Sequence, residues 1–356
     1  MTIVAAETRV EQLPLSRPYT IAFRTISAVQ NVIVVLRDGA GHVGLGAASP
    51  EPHVTGETPE RCREALGPGA LDFLVGAEVR TLPALLVELE RRLPDAPAAR
   101  AAVDIALHDL LAQGLGASLA ELFGRFHEAL PTSITIGIKP TAEALAEADE
   151  YLGRGFRILK VKTGKVLEED LERLARLRAH VGAGVVIRAD ANQGYTLEET
   201  RRFFEETAPL DIEFVEQPVK AAAIDELRAL PEGQRRHLAA DESLLTPADA
   251  LRLAGTPQPA GIFNIKLMKC GGLRPARAIA AIAEAGGVNL MWGCMDESCI
   301  SIAAALHAAL ASPATRYLDL DGSFDLARDV AEGGFIVERG VMRPAGGPGL
   351  GVRLRG

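Results

Sequence analysis

Between residues 133 and 322, short runs rich in Val, Ile and Leu alternate with longer stretches whose apolar positions follow a helical spacing. The runs are SITIGI (133–138), FRILKVK (156–162), GVVIRAD (184–190), DIEFVEQ (211–217), RHLAADES (236–243), GIFNIKL (261–267), VNLMWG (288–293) and RYLDLDG (316–322). Segments such as LEEDLERLARLRAHVG and RPARAIAAIAEAGG lie between most of them. Strand-like runs separated by helices at intervals of roughly 25 residues predict parallel βαβ units, and eight units predict a closed α/β barrel. The units share no sequence signature, which separates this pattern from a solenoid of repeats.

The flanks read differently. NVIVVL (31–36) enters a Gly-rich turn in LRDGAGHVGLGAAS and predicts antiparallel strands; AARAAVDIALHDLLAQGLG (98–116) predicts a helix ending on glycines. Residues 1–130 are therefore expected to form an α+β unit and 131–332 the barrel. GGFIVERGVMRP (333–344) predicts a hairpin, and the tail through 356 is expected to return to the N-terminal unit.

Charge narrows the function classes. A formal net charge of −9 disfavours general nucleic-acid binding, which needs a positive surface. No apolar run is long enough for a membrane span, and the N-terminus lacks the pattern of a secretion signal, so the expected setting is cytoplasmic. Cys62, Cys270, Cys294 and Cys299 form no CxxC pair and are expected to stay reduced.

The candidate chemistry lies at the strand ends. Lys162, Asp190, Glu216, Asp241, Lys266, Asp319 and Asp321 each close or follow an apolar run. In a parallel barrel all these ends open on one face. Any one of them could be a solvated loop residue, but lone charges repeated at the same end of apolar strands are costly to bury without a purpose. Asp190, Glu216 and Asp241 on adjacent strands make a hard oxygen site suited to Mg²⁺, with Mn²⁺ an alternative; nothing resembles a thiolate or imidazole zinc site. Asn192 is placed to orient a ligand or a metal-bound water, and Glu242 to orient Lys266.

Lys162 and Lys266 lie four strands apart and approach the axis from opposite sides, as two bases flanking one carbon would. A proton α to a carboxylate is weakly acidic, so its removal needs a cation on the developing enediolate and an amine of lowered proton affinity. Lys160, on the same face of its strand as Lys162, is the expected neighbouring cation and a contact for the substrate carboxylate. Lys269 and Gly271-Gly272 are expected to shape the loop after strand six.

KVK at 160–162, the acidic trio and the lysine of NIKLMKCGG resemble the enolase superfamily, muconate-lactonizing subgroup, and the likeness extends to ALHDLLAQ and PGLGV. The resemblance implies a (β/α)7β TIM-type barrel capped by an α+β domain built from both chain ends. It implies metal ligands at Asp190, Glu216 and Asp241, acid/base lysines at 162 and 266, and a small-molecule substrate in a homo-oligomer. The pair Asp319 and Asp321 resembles the DxD motif with which dipeptide epimerases hold the substrate ammonium; muconate and o-succinylbenzoate precursors carry no ammonium. Arg24 matches a position over the substrate side chain in L-Ala-D/L-Glu epimerases. Asp296, where those relatives have an apolar residue, and Glu51 would favour a lysyl or arginyl side chain instead. The alternatives are an L-Ala-D/L-Glu epimerase, an N-acylamino acid racemase, o-succinylbenzoate synthase or cycloisomerase of the same subgroup, a Schiff-base aldolase using Lys266, and a non-catalytic binding barrel.

Overall fold

The computed structural model describes residues 1–21 and 24–355, with the side chains of 18–26 outside the description. Each of the eight sequence runs contains or overlaps a strand: Ile134–Ile136, Ile158–Lys162, Val186–Asp190, Ile212–Glu216, Leu238–Ala240, Ile262–Ile265, Asn289–Gly293 and Thr315–Asp319. They pair in sequential order in one eight-stranded sheet. The seam between the eighth and the first is bridged where Thr132 pairs with Leu318 and the Ser133 N–H donates to the Leu318 carbonyl, 3.0 Å. The sheet thus closes on itself as the TIM-type reading expects.

Register decides where the charges go. Lys162 pairs with Asp190, and Asp190 with Glu216, across neighbouring strands, so these three side chains share one layer. Beneath them Phe214, Ala239, Ile262 and Met291 form an apolar floor with Tyr317 packed against it. The buried Arg188 guanidinium lies 5.2 and 5.1 Å from the Phe214 and Tyr317 ring centres and hydrogen-bonds Glu213 (2.6 Å) and the Leu318 carbonyl (2.9 Å). With the floor filled, the charged layer is open at the C-terminal end of the strands.

The N-terminal residues form a three-stranded antiparallel sheet, Ile3–Ile21, Arg24–Asp38 and Val43–Ala48. It packs on the helix Pro97–Leu115, whose alanine-rich sequence is buried on nearly all sides, as expected for a helix held between two layers. The contact is too close for side chains: a Cβ at Gly46 would stand 1.8 Å from the Ala102 carbonyl oxygen. The hairpin Phe335–Glu338 and Val341–Pro344 pairs with Leu130–Pro131. Val352–Leu354 pairs with Ala331–Gly333, and between these elements the tail reaches the cap helix, where the Leu350 N–H donates to Asp109 Oδ1 at 2.8 Å. Among the described residues no helix is long and apolar enough to cross a membrane.

Candidate active site

The structure gathers seven of the sequence-selected residues at the barrel mouth in two adjoining clusters of ion pairs. Lys162 ends strand two, half-buried, and its ammonium donates to Asp190 Oδ2 (2.7 Å) and Asn192 Oδ1 (3.0 Å). Lys160, fully buried two positions earlier, rests on the same Asp190 oxygen (3.0 Å), on Glu216 Oε2 (2.8 Å) and on Asp319 Oδ2 (2.7 Å). Across the barrel, Lys266 follows strand six and donates to Asp241 Oδ2 at 2.8 Å. The two lysines at 162 and 266 therefore stand on opposite flanks of the carboxylate trio.

Asp319 and Asp321 are held by residues from the closing seam. Ser133 Oγ donates to Asp319 Oδ1 (2.6 Å), and the Thr135 N–H donates to Asp321 Oδ2 (2.8 Å). Asp190 Oδ1 accepts the Asn192 N–H at 3.0 Å, and Asn192 Nδ2 donates to Glu242 Oε1 at 3.4 Å. Glu242 thus hydrogen-bonds Asn192, on the Lys162 side, rather than Lys266 as the sequence suggested.

Asn264 and Glu297 were not singled out from sequence, and Lys269 was given only a loop-shaping role. Lys269, read as a loop residue, is buried with its ammonium on Asp241 Oδ1, the Asp241 carbonyl (2.7 Å) and the Asn264 carbonyl (2.9 Å). Asn264 donates to Glu216 Oε1 at 2.6 Å. Glu297, buried beside the Asp296 loop, accepts the Met295 N–H at 2.8 Å and is pushed up to about 7 by burial. The signals existed for two of them: Asn264 sits two before Lys266 on a strand, and Lys269 three after it on a helical turn, so both share its side.

The specificity candidates border this site. Ser49 Oγ donates to the Asp296 carbonyl (2.7 Å), and the Ser49 N–H points at Met268 Sδ (3.2 Å), so the cap segment that continues to Glu51 abuts the loops after strands six and seven. Glu51 caps the one-turn helix Pro52–Thr55 and accepts the His53 N–H at 3.1 Å. Asp296 is half-buried. The Arg24 side chain lies outside the described residues.

Electrostatics show how crowded the negative charge is. Burial raises the Glu216 carboxyl and the neighbouring Asp190 charge raises it further, to about 8. For Asp321, burial and then Asp319 push the carboxyl up to about 7. Burial works against the ammoniums of Lys160 and Lys266, but the carboxylates around them win and hold both above the ordinary lysine value. Among the described residues no three His, Cys, Asp or Glu side chains stand as a ready-made metal cage, because lysine ammoniums face the carboxylate oxygens. The donor set nevertheless fits a hard divalent cation: three buried carboxylates on adjacent strands, with Glu216 Oε2 lacking any partner in hydrogen-bonding geometry.

Residues 143–356 match the family described as Enolase C-terminal domain-like, and residues 4–124 match the Mandelate racemase / muconate lactonizing enzyme, N-terminal domain. The chain is 61% identical to the L-Lys-D/L-Arg epimerase of Methylococcus capsulatus, with 99% of each chain covered. A crystal structure of the dipeptide epimerase from that organism, complexed with Mg and dipeptide L-Arg-D-Lys, superposes with a TM-score of 0.97 over 99% of both chains at 61% identity. The L-Ala-D/L-Glu epimerase of Clostridium acetobutylicum is 36% identical, covering 96% of this chain and 95% of its own. The chain belongs to the enolase superfamily, within the mandelate racemase and muconate lactonizing enzyme group.

Proposed function

We propose that this chain is a Mg²⁺-dependent dipeptide epimerase that inverts the α-carbon of the C-terminal residue and prefers lysyl and arginyl side chains. The observation that carries the reading is the opposed pair Lys162 and Lys266, each hydrogen-bonded to a different carboxylate of one buried trio. The relatives described above support it, the more similar of the two epimerases being the one named for Lys and Arg.

Asp190, Glu216 and Asp241 would hold the cation. Bound there, a divalent ion would supply positive charge to offset the negative charge that keeps Lys266 protonated and to stabilise a developing enediolate. One lysine, neutral, takes the α-proton from one face, breaking the C–H bond and leaving its electron pair on the carboxylate. The other, protonated, then delivers a proton to the opposite face of the same carbon. Asn192 aims Lys162 and Asp241 aims Lys266, while Lys160 lies beneath the carboxylates and offsets their charge. Asp319 and Asp321 hold the dipeptide ammonium by charge-assisted hydrogen bonds. Asp296 and Glu51 face a basic side chain, with Arg24 on the covering segment.

The setting belongs to the same proposal: a cytoplasmic homo-oligomer binding neither nucleic acid nor membrane, with 1–130 and 333–356 as cap and 131–332 as catalytic barrel. The Leu350 contact with Asp109 supports joining the tail to the cap.

Incubating a mixed dipeptide library with the protein and Mg²⁺ in D₂O tests the function. Members ending in Lys or Arg are expected to gain one mass unit and to epimerise. Enrichment of acidic residues would turn the reading to an L-Ala-D/L-Glu epimerase, and exchange of N-acylamino acids alone to a racemase. A substrate trapped on Lys266 by borohydride, with activity surviving EDTA, would mean an aldolase.

A further inference from the structure

We infer that Asp104, on the cap helix, is a positioning residue for Lys266, because it caps from outside the barrel helix that anchors the lysine's loop. The inference rests on the two-base reading above.

The helix Leu273–Ala285 begins after Gly272, which has no side chain to satisfy the first N–H groups. Such groups need acceptors when buried. Asp104 supplies them from the other unit: its Oδ1 accepts the Leu273 N–H at 2.8 Å and its Oδ2 the Arg274 N–H at 3.1 Å. The carboxylate is itself buried, and His108 packs against it, its Nδ1 hydrogen-bonded to the Asp104 backbone carbonyl at 2.9 Å and lying 3.0 Å from Oδ1.

The fit leaves little freedom. Gly272 has φ +115°, and a Cβ there would lie 2.5 Å from Asp104 Cβ; Gly271 has φ +93°, and its Cβ would lie 2.8 Å from Arg100 Nε. Only glycine adopts these angles readily and allows this approach. From Gly272 back to Lys266 the chain is one continuous hydrogen-bonded turn: the Gly271 and Gly272 N–H groups both donate to the Leu267 carbonyl (3.0 Å each), and the Lys269 N–H to the Lys266 carbonyl (3.0 Å). A shift at the Asp104 contact is therefore passed to the Lys266 backbone within six residues. Lys162 stands on the far flank, on strand two, and has no such tie to the cap helix among the hydrogen bonds described above.

That asymmetry gives the test. In D₂O, the two epimers of a lysyl or arginyl dipeptide each lose the α-proton to one lysine, so Lys162→Ala and Lys266→Ala identify which epimer depends on which base. Asp104→Asn keeps the side-chain volume but turns an N–H₂ towards one of the two helix N–H groups. Its proton exchange is expected to fall by roughly tenfold to a hundredfold for the epimer served by Lys266, the scale set by small misplacements of a catalytic group. Exchange of the other epimer should stay within about threefold of wild type. His108→Asn, a milder change that leaves Asp104 in place, should show the same asymmetry more weakly and serves if Asp104→Asn does not fold. Asp109→Asn alters another buried carboxylate of the same helix, one that binds Leu45 and Leu350 instead, and should affect both epimers alike. Equal losses for both epimers in Asp104→Asn and His108→Asn, or no loss in either, would overturn the inference. Wild-type protein that exchanges no dipeptide α-proton would remove the two-base reading first, and this inference with it.

Discussion

The ammonium of Lys269 binds Asp241 at both ends, through the backbone carbonyl at 2.7 Å and through carboxylate Oδ1, while Lys266 takes Oδ2. The two oxygens of one buried carboxylate are thus divided between two lysines one helical turn apart. Lys269→Met would leave a buried carboxylate oxygen and two carbonyls without this donor, a loss of about 3–5 kcal/mol for breaking such a pair. Added Mg²⁺ should raise the melting temperature of Lys269→Met more than that of wild type, since a bound cation supplies the missing positive charge. Equal Mg²⁺-induced shifts in the two proteins would mean that Lys269 does not offset charge at the metal site.

Glu216 makes stability and activity move in opposite directions. Its carboxyl is buried and raised to about 8, and its Oε2 has the Lys160 ammonium at 2.8 Å but no partner in hydrogen-bonding geometry. Glu216→Gln removes that strained charge and keeps an acceptor for Asn264 Nδ2. The metal-free variant is expected to be at least as stable as wild type in urea, yet to lose about a thousandfold or more in epimerisation and to show no melting shift with Mg²⁺. In wild type, EDTA should abolish exchange, and Mg²⁺ or Mn²⁺ should restore it.

Asp321 gives the pH profile. Its folded carboxyl is raised to about 7 by burial and by Asp319, and only the ionised form attracts a substrate ammonium. As pH falls through about 7 the group takes up a proton, so kcat/KM for dipeptides should decline on that acid limb. Asp321→Asn should lower kcat/KM by roughly a hundredfold, the scale of a lost buried charge contact, and the limb should vanish from what remains. N-acylated amino acids, lacking the ammonium, should lose far less. A limb that persists in the variant would assign the titration to another group.

The barrel was legible because its strands recur as apolar-rich runs between helical stretches, and six of the eight end on or are followed directly by a charge; the run around Ile262–Ile265 shows this, bounded by Lys266. The carboxylate trio and both opposed lysines could be selected because they end or directly follow such runs. What the sequence did not reveal is which charge pairs with which. Lys160 was expected to act on Lys162 directly, and in the structure both ammoniums converge on Asp190 Oδ2. Asp104 and Asp109 look alike in AAVDIALHDLL, five positions apart on a helix buried on nearly all sides. Only the fold directs one to the barrel helix and the other to the C-terminal tail. Pairings between distant segments follow from tertiary packing, which local periodicity does not encode.

In the proposed function, the side-chain preference rests on Asp296 and Glu51. Asp296→Leu should reduce kcat/KM for lysyl and arginyl dipeptides by about tenfold or more while that for apolar side chains holds or rises, because one attractive charge is removed and its penalty on uncharged groups goes with it. Competition assays with paired dipeptides read the ratio directly. An unchanged ratio would move the preference to Glu51.

His307 ties the stability of the two units to pH. It lies on the buried barrel helix Cys299–Leu310, and its Nδ1 accepts the Ala120 N–H of the cap at 3.0 Å. A protonated ring cannot accept there, and burial lowers the folded pKa from 6.5 to about 4. Between those values the unfolded chain binds a proton that the folded chain refuses. The stability from this group is therefore complete above pH 6.5 and is lost as pH falls towards 4, by about 3 kcal/mol over the full window. His307→Asn offers an oxygen to the Ala120 N–H without titrating. Urea unfolding at several pH values across this window should show a shallower pH dependence for the variant than for wild type. Parallel curves would mean that His307 does not contribute to the pH dependence of stability.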